Sequence, residues 1–172
     1  MRAKRFPATS RIVVLAVLLV ASGCTQPKGN SAEPDQEEVA AVSSEVTELL
    51  ESNPAATTSL FGRTPDRIAC VSKAFGLPKT SSGPSGGKSL FSHVYCAAVD
   101  PGVAFGDASI FSGPIAIAPG PPIEIKVPQD GAEYETSIRR IFPDELEEAA
   151  MDSVADEGMK RALGQRYAAR QG

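Results

Sequence analysis

An α+β domain is the fold class this sequence predicts: one N-terminal helix packed on a small, mainly antiparallel sheet of about four strands, closed by C-terminal helices. Three observations predict it. Apolar residues recur at helical spacing over 36–52, β-branched and aromatic residues fill four short runs between 67 and 127, and helical spacing returns from 134 onward.

The first helix, 36–52, carries Val39, Val42, Val46, Leu49 and Leu50 on one stripe, with acidic residues in its first turn and Asn53-Pro54 as its stop. A stripe of this kind is usually a face turned to the domain's own core. Two extended segments follow, Arg67 to Gly76 and Ser89 to Val99, separated by a loop-like stretch, 77–88, rich in Gly, Ser and Pro. Paired as a hairpin centred near Gly83, they set Cys70 opposite Cys96, Val71 opposite Tyr95 and Phe75 opposite Phe91, all sensible cross-strand neighbours. A rival reading makes 65–75 a short helix, with Thr64 as N-cap, Pro65 as first residue and Gly76 as stop. The hairpin is preferred because it accounts for the cysteines and the loop together.

Two further strands are expected at 113–118 and 123–127, with Ile115, Ile117, Ile123, Ile125 and Val127 on one face and Glu124 and Lys126 in solvent. Pro119-Gly120-Pro121-Pro122 supplies the turn, and prolines at an edge discourage strand addition. Tyr134, Ile138, Ile141 and Phe142 mark a helix over 134–142; 144–155 and 157–169 are further helical stretches. Across these last two, Asp144, Glu145, Glu147 and Glu148 come first and Lys160, Arg161, Arg166 and Arg170 last, an order that suits the helix dipole and a solvated surface.

The N-terminus is of another kind. Arg2, Lys4, Arg5 and Arg11 form a basic region, Ile12 to Val20 an unbroken apolar run, and Ala21-Ser22-Gly23-Cys24 a small-residue cleavage site. The apolar run is too short for a permanent membrane helix, which needs roughly 20 residues. The pattern resembles the lipobox of bacterial lipoproteins, departing from it in Ala21, where the family prefers Leu. The resemblance implies diacylglycerol on the Cys24 thiol, cleavage after Gly23, and a mature chain held at the extracytoplasmic face of the cell membrane. Two acyl chains hold where one barely does, at about 0.8 kcal/mol per buried methylene. The expected organisation is a signal peptide over 1–23, a polar tether over 24–35 and a single domain over 36–172.

The −4 charge of the whole chain becomes −8 once the four basic residues of the signal segment are removed, a balance that repels phosphate backbones and argues against nucleic-acid binding. With Cys24 assigned to lipid, Cys70 and Cys96 remain as an even pair in an oxidising compartment, and one disulfide is expected. These two cysteines and the lone His93 lack the spacing of a zinc site, so neither metal nor cofactor is expected.

Catalytic signals are sparse. Gly87-Lys88-Ser89 imitates the end of a phosphate-binding loop, but Ser82 stands where that motif needs glycine, and a strand rather than a helix follows. His93 would have to serve any Ser-His mechanism, no G-x-S-x-G elbow lies nearby, and Asp130 with Glu133 or Glu135 reads as turn and helix-start chemistry. No catalytic residue is named. The expectation is a lipid-anchored envelope protein acting as a non-enzymatic binding or accessory module for an envelope protein or small ligand. The alternative is an envelope hydrolase whose site assembles only in the fold.

Overall fold

Helix α1 spans Gln36–Ser52, the bounds its periodicity predicts. Val42, Val46 and Leu50 are buried, and Val39 and Leu49 pack beside them. The helix stops because Asn53 takes over its last carbonyls: its backbone N–H donates to Leu50 O at 3.2 Å and its side-chain amide to Leu49 O at 2.9 Å, and Pro54 follows. A 3-10 turn, Pro54–Thr57, leads into the short helix α2, Thr58–Phe61, which ends on Gly62 at φ 68°, a left-handed conformation that glycine adopts without a side-chain clash. The computed structural model describes residues 36–76, 89–118 and 120–172. Residues 1–35, where the expected signal segment, tether and Cys24 fall, and residues 77–88 and Pro119 lie outside the described residues.

The sheet is a four-stranded antiparallel meander, β1 (Arg67–Ala74), β2 (Leu90–Val99), β3 (Ile110–Ala118) and β4 (Glu124–Lys126), in the order β1-β2-β3-β4. The hairpin register is the expected one: Cys70 faces Cys96, Val71 faces Tyr95, and just beyond the ladder Phe75 N–H donates to Phe91 O at 3.1 Å. Residues 67–74 are therefore strand rather than short helix; pairing with β2 along eight residues outweighs the local cap signals of Thr64 and Pro65. Cys70 and Cys96 are joined by a disulfide with Cα atoms 4.1 Å apart, and both are fully buried. β3 starts three residues before the expected Gly113, while β4 is shorter than 123–127. Ile117 and Ile125 are direct neighbours, as the alternation requires, and Glu124 and Lys126 are exposed.

Each face of the sheet has its own cover. The stripe of α1 packs on Ile68, Cys70, Val94, Cys96, Ile115 and Ile117. On the opposite face, α3 (Tyr134–Ile141) and α4 (Asp144–Met151) enclose Phe91 and Ala116, with Ile138 and Phe142 at the centre. Helix α5 (Glu157–Gln171) sets Leu163 and Tyr167 against Ala69, Ala97 and Val99, where alanines on adjacent strands let the helix approach closely. Asp156 caps α5 by accepting from Met159 N–H at 2.8 Å. With both faces covered, the cavities open at the sheet edges rather than on a free concave face.

Helix α4 ends at Met151, earlier than the expected 155. Asp152 N–H still bonds Glu148 O, but the Ser153 hydroxyl then donates to Ala150 O at 2.9 Å, a local bond that competes with further helix. Arg166 and Arg170 do not simply face solvent as the charge pattern suggests; both turn onto Glu51 of α1.

Candidate functional site

A groove of about 520 Å³ runs along the outer edge of β1, between α1 on one side and α5 on the other. An edge strand presents unpaired backbone groups, and here side chains of α1 occupy them at two points. Cys70 N–H donates to Glu51 Oε1 at 2.9 Å, and Ala74 N–H donates to Ser43 Oγ at 2.9 Å. Ser72 lies between, its hydroxyl donating to Ser43 O and accepting from Thr47 Oγ1 at 3.2 Å.

Glu51 is the anchor of this edge. Its side chain is only 5% exposed, and besides Cys70 N–H it accepts from Arg166 Nε at 3.0 Å and from Arg170 at 2.6 Å, with a second Arg166 nitrogen completing a forked pair. One buried carboxylate thus holds two arginines that remain partly exposed, at 43% and 35%, and leaves part of their N–H inventory facing the groove. Ser44, Thr47 and Glu48 complete a lining of mostly polar residue types, with Val71 and Cys70 among them and no aromatic ring. Such a lining offers hydrogen-bonding groups to a ligand beside apolar surface.

A second constellation lies on the far side of the sheet. His93 of β2 is 3% exposed, its Nδ1 lies 2.9 Å from Ser153 Oγ and its Nε2 lies 3.2 Å from Ser112 Oγ of β3. The ring forms part of the wall of two clefts of about 220 and 280 Å³. Burial lowers the His93 pKa below the ordinary 6.5 and nearby Lys73 lowers it further, while Asp156 opposes them. The sign of the resulting pH dependence follows. Below pH 6.5 the unfolded chain binds a proton that the folded chain refuses, so stability present above that pH falls as the pH drops toward the depressed folded value. In His93→Gln this segment of the profile is expected to vanish in urea midpoints measured from pH 7.5 to 5; equal slopes in both proteins would show that His93 does not carry it.

The residues expected from sequence fall in different places. Cys24 lies outside the described residues. Cys70 and Cys96 are core, not surface chemistry. Asp130, Glu133 and Glu135 are exposed and do not converge; Glu135 pairs with Arg139 one helical turn away. Sequence reasoning missed Glu51, Arg166 and Arg170 as one group, and Ser112 and Ser153 as partners of His93. Among the described residues, no group of three or more His, Cys, Asp or Glu side chains could hold a metal ion, and no helix is long and apolar enough to cross a membrane. Compared with protein-family models, curated proteins and solved structures, the chain matches none of them.

Proposed function

We propose that this chain is a lipid-anchored protein of the bacterial cell envelope whose folded domain is a binding module, presenting the β1-edge groove to an envelope protein segment or a small polar ligand. The anchoring rests on residues 1–24: the basic start, the short apolar run and Cys24 directly after Ser22-Gly23. The observation that carries the binding role is the groove, where a buried carboxylate fixes two partly exposed arginines beside hydroxyls and an edge strand. Pre-set donors of this kind bind at low ordering cost, because their rotamers are already held.

Intact mass of protein extracted from bacterial membranes tests the anchor. The expected species starts at a diacylglyceryl-modified Cys24, and Cys24→Ser should lose the lipid and leave the membrane fraction; an unmodified Cys24, or a chain retaining residues 1–23, would remove the envelope assignment. For the groove, a photoreactive residue at Ser44 should give adducts of defined mass in living cells that disappear when Thr47→Trp fills the groove. Adducts that persist in that variant would place the binding elsewhere.

A further inference from the structure

The donor and acceptor arithmetic around His93 leaves one arrangement. A serine hydroxyl has a single proton, and Ser153 gives its proton to Ala150 O at 2.9 Å. Ser153 Oγ therefore meets His93 Nδ1 as an acceptor, so Nδ1 carries the ring hydrogen. In the neutral ring Nε2 is then a bare lone pair, and the group 3.2 Å away is the Ser112 hydroxyl, which must donate to it. The ring stays buried while Ser112 is exposed.

The strand ladder adds a second element. Ala98 N–H bonds Ser109 O, so with the β2–β3 register the odd-numbered residues of β3 turn their backbone groups to β2 and the even-numbered ones turn theirs outward. Ser112 N–H thus points to the outer edge of β3. Among the described residues no strand covers it there, because β4 pairs only with residues 116–118, and the next outward position is Pro114, which has no N–H. Ser112 brings a hydroxyl polarised by histidine and its own amide donor to the same open edge, beside the cleft of about 220 Å³. The cleft walls include Phe111, Val127, Pro128, Tyr134 and Val154, with the Asp130 carboxylate also in the lining. At about 30 Å³ per water-sized group it holds roughly seven such groups, apolar and not anionic.

We propose that Ser112 is a nucleophile toward small uncharged carboxylic esters, with His93 as general base and Ser153 as the positioning residue that fixes its tautomer. Ser112 Oγ bonds to the ester carbonyl carbon as its proton passes to Nε2; the C–O bond to the alcohol breaks and the departing oxygen takes that proton. Water then attacks the acyl-Ser112 ester, its proton passing through Nε2 back to Ser112 Oγ, and carboxylic acid leaves. This goes beyond the binding role and does not depend on it, since groove and cleft lie at opposite edges of the sheet. It gives the hydrolase alternative named residues.

The test is p-nitrophenyl butyrate with the full-length protein, reading nitrophenolate release and the mass of the Ser112 peptide after acid quench. Release should depend on Ser112, vanish in Ser112→Ala, and slow about 100-fold or more in His93→Gln, the usual range for loss of a general base. Rate should rise with pH along a single-proton limb centred below 6.5, set by His93 and its charged surroundings: Lys73 from β1, Asp152 after α4, Asp156 before α5, and Asp130 across the cleft. Ser153→Ala should move that limb to lower pH, which a merely structural serine would not do. Release unchanged in Ser112→Ala, or equal in folded His93→Gln, would overturn the assignment. If His93→Gln fails to fold, a wild-type profile without the limb would overturn it equally.

Discussion

Replacing Cys70 and Cys96 together with alanine is expected to cost the folded domain about 3.5 kcal/mol, from the loop entropy released when a bridge over 26 residues is removed. Against the 5–15 kcal/mol of a typical domain this is a large share. The bridge joins directly facing residues of adjacent strands, so it adds no new topology; it acts by shortening the unfolded chain's list of conformations. Both sulfurs are fully buried, with α1 packed over them. A thiol reductant should accordingly reach the bond only when the hairpin opens, and reduction by dithiothreitol should track the unfolding rate. Urea unfolding of the double variant beside the wild type measures the cost. A difference under about 1 kcal/mol would mean the hairpin's own packing already restricts the unfolded loop.

Glu51→Ala is expected to cost about 2 kcal/mol, mostly because it leaves Cys70 N–H without its acceptor, with a smaller part from the two partly exposed arginines that lose their counter-charge. Glu51→Gln should cost less: an amide oxygen still accepts from Cys70 N–H, while the ionic attraction is gone. Either arginine alone should matter less than the glutamate, since each is partly exposed and the other remains. The same urea experiment reads all four variants, and a Glu51→Ala loss within about 0.5 kcal/mol of zero would show the cluster to be no more than a surface ion pair. Combined with the cysteine variant the effects are expected to couple, because loss of the bridge loosens the β1 backbone whose Cys70 N–H Glu51 accepts, although alanine keeps that N–H.

Element type was legible in the sequence wherever periodicity was long. The Val/Leu stripe of α1, the hairpin register through Cys70 and Cys96, and the Ile alternation of β3 and β4 all reappear in the fold. Two of the boundary differences have local causes. The strand expected from Gly113 begins at Ile110, because Phe111-Ser112 lacks clear alternation until pairing with β2 draws it into the ladder. The helix expected to 155 ends at Met151, because Ser153 bonds backward to Ala150. Those two boundary errors hid Ser112 and Ser153, the two partners of His93. Glu51, Arg166 and Arg170 were hidden for a different reason: they meet across more than a hundred residues of chain, and no spacing rule reports a contact of that span.

That span also ties distant segments of the domain to one another. Glu51 meets Arg166 across a separation of 115 residues, and Arg170 across 119. Without α5, Glu51 would face solvent in the β1-edge groove with no ion-pair partner, and without α1 the two arginines would lose theirs. The clamp therefore ties α1 to α5 across the β1 edge, so that loosening either helix should be felt by the other.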